Sequence, residues 1–227
     1  EVDFSYGVSD GQGHIEVCNG TISSTAAGAD LTINPVNDAP VATFTKVQNA
    51  TEDGCVITGH LTSSDVDADD IATYNLTGSS IPGLIINADG SWSFDPSNRE
   101  YQSLSEGQRQ EIKVQYAVTD SSGATDNSAF TITLTGTNDI PIVTGPVDLG
   151  SSREDTSFTF TTEQLLANAS DIDGDTLSVV DLKVADGQGQ LFDNNDGTFT
   201  FTPAANWNGE VDFSYGVSDG QGHIEVC

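Results

Sequence analysis

At 227 residues, with 35 acidic side chains against 6 basic ones, the chain carries a formal net charge of −29. A charge of that sign repels nucleic acid and anionic membrane, both of which are bound through basic patches, and no run of 18 apolar residues is present to span a bilayer. An acidic, glycine-rich composition alone reads as disorder, but apolar residues alternate strictly in many short runs, the signature of half-buried strands.

Val2, Phe4, Tyr6 and Val8 alternate, and the strand ends at Asp10 and the turn Gly11-Gln-Gly13. A polar stretch from Cys18 follows, and alternation resumes at Leu31 and Ile33, just before Pro35-Val-Asn-Asp-Ala-Pro40. Strands are then expected over Val41–Val47, Val56–Leu61 and Ile71–Leu76. Leu84–Asn87 and Trp92–Phe94 flank Ala88-Asp-Gly90, a hairpin turn. Glu100–Glu106 suits a single helical turn. Ile112, Val114, Tyr116 and Val118 alternate up to Asp120, and Phe130, Ile132 and Leu134 form a last strand before Thr137-Asn-Asp-Ile-Pro141. Seven strands in about 100 residues with no long helix predict a two-sheet sandwich.

The cycle then restarts. Phe158 and Phe160 alternate, Glu163–Ala169 suits one helical turn, and Leu177–Val184 and Leu191–Phe192 follow. Asp196-Gly197 turns into Phe199 and Phe201, and Val211, Phe213, Tyr215 and Val217 end at Asp219. A further strand is expected to be missing from this second sandwich. Residues 1–18 reappear letter for letter at 210–227, a spacing too long for a solenoid unit and right for two sandwich domains. The chain therefore reads as a window on a tandem array: 1–36 closing one domain, 37–137 forming a second and 138–227 a third without its last strand.

Acidic residues recur at matching stations of the two cycles: Asn37-Asp38 with Asn138-Asp139, Glu52-Asp53 with Glu154-Asp155, Asp65 and Asp67 with Asp171 and Asp173, and Asp120 with Asp219. Asp171-Ile-Asp-Gly-Asp175 sets three carboxylates at every second position, and Asp65-Val-Asp-Ala-Asp-Asp70 has the same character. Such crowding is either a solvated acidic loop or a site for a hard cation such as Ca²⁺, which takes six to eight oxygens. Recurrence in the same context favours the cation. It is not an EF-hand: the sixth and twelfth positions, which need Gly and Glu, are Thr176 and Leu182 counted from Asp171, and Asp70 and Leu76 counted from Asp65. In an antiparallel sandwich, loops an even number of strands apart share a pole, so all four stations are expected at the N-terminal pole of their own domain.

Thr51-Glu-Asp-Gly, Ser64-Asp-Val-Asp-Ala-Asp-Asp70, Ala88-Asp-Gly-Ser-Trp-Ser-Phe94 and Tyr116-Ala-Val-Thr-Asp120 resemble the VCBS repeat. Glu154-Asp-Thr, Asp171-Ile-Asp-Gly-Asp175, Asp196-Gly-Thr-Phe-Thr-Phe-Thr-Pro203 and Tyr215-Gly-Val-Ser-Asp-Gly220 resemble the bacterial cadherin-like repeat. Both are modules of giant bacterial surface adhesins, and the resemblance implies an all-β fold of tandem immunoglobulin/cadherin-like Greek-key β-sandwiches, extracellular, with Ca²⁺ at domain junctions. Carried over, Asp67 and Asp173 fall at the paired-aspartate loop of cadherins, Asp38 and Asp139 at the linker aspartate, and Asp120 and Asp219 at the late-loop aspartate. The glutamate of animal cadherins serves the opposite pole, which leaves Glu52 and Glu154 open between two placements. The glycine-rich nonapeptide of calcium β-rolls is absent.

The leading reading is a calcium-stiffened extender of a cell-surface adhesin, supporting adhesion and biofilm formation. Its partners are neighbouring repeats or head-to-tail copies in which Thr25–Asn34 of one lies along an open sheet edge of another. Its adhesive ligand is not legible. A calcium-dependent carbohydrate-binding module is the alternative, with Trp92 and Trp207 as stacking platforms. Paired carboxylates also suit glycoside hydrolysis, but here they cluster with like charges and no Ser/His/Asp constellation accompanies them. The step from Asp10 to Asn37 is about nine residues longer than that from Asp120 to Asn138. Cys18 lies in or beside this excess and Cys55 just after Glu52-Asp53, so the two are candidates for a bridge across the junction, with Cys227 repeating Cys18; free thiols or an interchain bridge are the alternatives.

Overall fold

The computed structural model describes residues 31–67 and 70–226, together with the strands β1 (Val8–Ser9) and β2 (His14–Ile15). Of these two strands and of residues 223–226 the backbone alone is described. The chain divides into two compact units, Glu1–Asp38 and Ala39–Cys227. In the first, β1 and β2 pair antiparallel, Val8 with Ile15 and Ser9 with His14, and Leu31 and Ile33 are exposed.

The second unit holds two sandwiches in sequence. The first is built from β3 (Val41–Ala42), β4 (Val47–Thr51), β5 (Ile57–His60), β6 (Ser63–Ser64), β7 (Thr73–Leu76), β8 (Leu84–Ile86), β9 (Ser91–Phe94), β10 (Arg109–Thr119) and β11 (Thr125–Thr135). One sheet has the order β4-β11-β10-β7 and the facing one β5-β9-β8, with β3 paired to β6. The period of two puts Ile112, Val114, Tyr116 and Val118 on one face of β10, and Phe130, Ile132 and Leu134 on the same side of β11; all are buried. Trp92 and Phe94 of β9 close the core from the other sheet.

Three expectations are corrected here. Val41–Val47 is not one strand: β3 and β4 belong to different sheets. Between them Phe44 turns inward onto Trp92 and Phe130, and its backbone is held by Tyr116, whose hydroxyl donates to the Phe44 carbonyl at 2.9 Å and accepts from its N–H at 3.2 Å. Glu100–Glu106 forms hydrogen-bonded turns rather than helix, with Tyr101 N–H on the Asn98 carbonyl and Leu104 N–H on that of Tyr101. Trp92 is 2% exposed, so it is core and not a stacking platform.

The second sandwich comprises β12 (Ile142–Val143), β13 (Phe158–Thr161), α1 (Thr162–Leu165), β14 (Ala169–Ser170), β15 (Ser178–Val184), β16 (Gly189–Asp193), β17 (Thr198–Pro203), β18 (Phe213–Ser218) and β19 (His223–Val226). Its sheets are β13-β17-β16 and β15-β18-β19, with β12 paired to β14. α1 is the expected single turn, held by a capping box between Thr161 and Gln164. Phe160, Leu165, Phe201, Tyr215 and Val217 form the buried core. The strand expected to be missing after Asp219 is begun by β19, whose four residues pair antiparallel with Tyr215–Ser218.

Candidate metal centres

Both Asp-x-Asp loops close on themselves in the same way. Asp65 Oδ1 accepts the N–H of Asp67 at 2.9 Å, and Asp171 Oδ1 accepts those of Asp173 and Asp175 at 3.0 and 3.3 Å. Gly174, at φ 79°, lets the second loop fold back this tightly. The result is that one oxygen from each of Asp65, Asp67 and Asp70, and likewise from each of Asp171, Asp173 and Asp175, lie within 4.8 Å of one another.

The second cluster sits where the two sandwiches meet. Asp139 N–H donates to Asp173 Oδ2 at 2.8 Å, and Asn138 Nδ2 donates to Asp219 Oδ2 at 3.0 Å. From the first sandwich come Ser105, whose hydroxyl donates to the Asp173 carbonyl at 3.4 Å, and Glu52, whose Oε2 accepts Thr137 N–H at 3.1 Å. Glu52 is 1% exposed.

Its position corrects the station-by-station expectation, which puts Glu52 at the pole of Asp65 and Asp67. β4 runs parallel to β11, with Ala50 beside Leu134 and Thr51 beside Thr135, so the turn after Thr51 emerges next to the exit of β11 and not at its start. Glu52 N–H accordingly donates to the Thr135 carbonyl at 2.9 Å. Glu154-Asp155 repeats this turn. Asp53 and Asp155 both take left-handed backbone, at φ 56° and 59°, which aspartate tolerates through local hydrogen bonds. Asp53 accepts from Gln102 Nε2 at 2.9 Å and Asp155 from Asn206 N–H at 3.0 Å. Glu154 and Asp155 are exposed, and the structure does not bring them to Asp171 and Asp173.

The junction is electrostatically unbalanced. Burial pushes the Glu52 carboxyl up, opposed by the Thr137 N–H and reinforced by the Asp139, Asp173 and Asp53 charges. Asp139 is raised by burial and then by Asp53, Asp173 and Asp171, and Asp175 by desolvation and then by Asp171, Asp173 and Asp219. Asp219 is held low by the Asn138 amide and the N–H groups of Gly222 and Gln221. Among the described residues none of Glu52, Asp139, Asp171, Asp173 or Asp175 pairs with lysine or arginine; the ion pair found there joins Arg99 to Glu100. Glu52 Oε1, Asp139 Oδ2, Asp171 Oδ2 and Asp173 Oδ1 are buried with no hydrogen-bond donor. Anionic oxygens in that state are costly unless a cation is present. An all-oxygen set of carboxylates from several loops is the donor chemistry Ca²⁺ takes, so the residues present fit that ion.

The first cluster has the same logic. A pocket of about 260 Å³ is lined by Pro40, Ser63, Asp65, Asp67, Asp70 and Asp120, with Ala72. Asp65 Oδ2 is buried without a donor. Asp120 is 6% exposed, and its Oδ1 accepts the N–H groups of Ser122 and Ala124 at 2.9 and 2.8 Å. Asp70, whose carboxylate accepts the Ser121 hydroxyl, is a member that sequence spacing passes over. It stands five positions after Asp65, whereas Asp175 stands four after Asp171. Asn37 and Asp38 belong to the Glu1–Asp38 unit and are exposed. Cys55 is exposed; the expected Cys18–Cys55 bridge lies outside the described residues, as do Cys18 and Cys227.

A family model described as the bacterial cadherin-like domain matches residues 37–136, and one described as the cadherin-like domain matches residues 137–226. Residues 37–226 thus match two cadherin-like domain models in tandem. The cadherin-like fold is known as a non-catalytic adhesion module. Among curated proteins none matches the chain. Among solved structures, the chain is similar to the extracellular cadherin domains 1–4 of protocadherin gamma B7, at 14% identity over 83% of this chain and 47% of that one, with a TM-score of 0.44. The human desmocollin-1 ectodomain gives 14% identity over 94% and 41%, with a TM-score of 0.44. An endo-fucoidan hydrolase of glycoside hydrolase family 107 gives 17% over 99% and 33%, with a TM-score of 0.37. The chain spans less than half the length of each. No helix among the described residues is long and apolar enough to cross a membrane.

Proposed function

We propose that the tandem is a calcium-stiffened extender segment of a bacterial cell-surface adhesin, working outside the cell. The observation that carries this reading is the junction itself. Glu52 from one domain and Asp139, Asp171 and Asp173 from the linker and the next domain present buried carboxylate oxygens that lack donors. An ion bound there would tie two domains that otherwise repel each other. The charge of −29 suits a chain neutralised by divalent cations, and the VCBS-type motifs support a place among large repetitive adhesins. In this reading the metal ligands are drawn from Asp139, Asp171, Asp173, Asp175 and Glu52 at the junction, and from Asp65, Asp67, Asp70 and Asp120 in the first domain. Residues 1–36, by identity with 210–227, close another cadherin-like domain, so that the boundaries fall near 36/37 and 137/138.

Thermal melting tests the proposal. Extracellular modules bind Ca²⁺ with Kd of about 10⁻⁴–10⁻³ M. At free calcium about 100-fold above Kd, each site adds about 2.7 kcal/mol, and one site alone raises Tm by about 5–10 °C for a unit of this size. A Tm that does not move between millimolar calcium and excess chelator would refute it.

A further inference from the structure

In the first sandwich β4, near the start, and β11, the last strand, lie side by side and run the same way. They pair in parallel through five consecutive residue pairs, from Val47 with Thr131 to Thr51 with Thr135. We propose that this pair is a mechanical clamp: it makes the first sandwich resist stretching through its two chain ends far more than pull across its strands. The use of such a clamp rests on the extender reading, because an extender passes pull along the chain. The clamp itself needs no calcium.

The chain enters this sandwich ahead of β3 and leaves it after Thr135. Parallel strands start at one pole and end at the other. Pull on the two ends therefore drags β4 by Val47 toward the pole where it starts, and β11 by Thr135 toward the opposite pole. The strands must slide past each other, and the bonds of an evenly spaced parallel ladder are then strained together. Pull across the strands would open the same bonds one after another. β11 is an inner strand, held on its other side by eleven pairs with β10, so sliding must begin at the five pairs with the edge strand β4. A slip of one residue would also turn the buried Ala50 to the solvent face. Past Thr51 the clamp continues to the exit: Glu52 N–H donates to the Thr135 carbonyl at 2.9 Å, and Thr137 N–H to Glu52 Oε2 at 3.1 Å.

The lead into the clamp is held by less. β3 makes two residue pairs with β6, Ala42 N–H donates to Asp126 Oδ2 at 2.9 Å, Thr43 N–H donates to the Thr62 carbonyl at 2.8 Å, and the Tyr116 hydroxyl holds Phe44. Residues 39–46 therefore yield first and pass the pull to Val47. The phase of the ladder follows from Glu52. Its N–H faces β11, and backbone groups repeat every second residue, so the N–H groups of Ala50 and Gln48 face β11 as well. Those of Asn49 and Thr51 point to the open side of the edge strand.

Single-molecule stretching of the full chain, in calcium and in chelator, tests this. Held by its two ends, the first sandwich is recognised by a release of about 33–36 nm of contour for residues 37–136, less its folded length. A second handle is a thiol at Ser122→Cys, with the native cysteines replaced by serine. Ser122 lies in the turn between β10 and β11, at the pole where β4 starts, so pull between it and the N-terminus opens the ladder bond by bond and releases about 28–31 nm. Unfolding should need several-fold more force in the first direction than in the second. Gln48→Pro removes one bond of the clamp and should raise the unfolding rate at fixed end-to-end force at least about five-fold. Asn49→Pro removes an N–H that the ladder does not use and should leave that rate unchanged. Equal forces in the two directions, or equal rates in the two proline variants, would overturn the clamp, and the directions decide alone if Gln48→Pro does not fold. A directional ratio that persists in chelator supports the clamp even where the calcium reading fails; a ratio lost in chelator overturns it, because the junction would then be what resists.

Discussion

Glu52→Gln keeps the length and shape of the side chain and removes its charge. Glu52 is 1% exposed, its Oε2 takes the Thr137 N–H, and its Oε1 has no donor. Glutamine retains an acceptor for Thr137, so the turn after β4 stays intact. With calcium, the junction loses one charged ligand, and the affinity of oxygen sites follows ligand charge. A loss of about 10- to 100-fold, with calcium above both dissociation constants, lowers stability by about 1.4–2.7 kcal/mol, or Tm by about 3–10 °C. Without calcium the sign reverses. The Glu52 carboxyl is raised by burial and by the Asp139 and Asp173 charges, so near neutral pH the ionised form opposes folding and its removal raises Tm. Scanning calorimetry of wild type and variant, each in calcium and in chelator, reads both signs. A Tm that falls in both conditions would make Glu52 a structural hydrogen-bonding group. One that rises in both would make it a crowded charge with no ion to bind.

Asp173→Asn should abolish most of the calcium protection of the junction between the two cadherin-like domains, and Asp67→Asn should leave it intact; limited proteolysis around Thr137–Asp139 in calcium separates the two, and equal loss in both contradicts independent centres. In chelator, stability should peak near pH 4. Glu52 and Asp139 are raised above 4.5 and 3.8, so their contribution is complete below those values and is lost as pH climbs through the raised ones. Asp89, Asp196 and Asp219 are lowered, so theirs is complete above 3.8 and lost as pH falls through the depressed values. A calcium-free Tm that rises steadily from pH 4 to 7 would contradict this assignment.

The period-two runs made most of the fold legible: β5, β7, β10, β13, β15 and β18 stand where alternation puts them, because each half-buried strand must segregate its two faces. Alternation does not say which sheet a residue joins. Val41–Val47 therefore reads as one strand although β3 and β4 lie in different sheets. The same blindness explains Glu52. Sequence order fixes which loops follow which strands, but the parallel pairing of β4 with β11 is a long-range fact, and it carries Glu52 to the far pole. Asp70 was visible in its acidic run but fell outside the spacing that marks Asp175. The paired-aspartate loops needed no tertiary information, because their geometry is made by local side-chain to backbone hydrogen bonds.

Small-angle scattering during a calcium titration of residues 37–226 tests the central claim most directly, because stiffening changes shape without requiring any change in fold. Calcium should raise the maximum dimension and narrow the distance distribution to that of two domains in fixed relation, and chelator should return both to a shorter, broader form. Scattering curves that superimpose with and without calcium would contradict a calcium-stiffened junction.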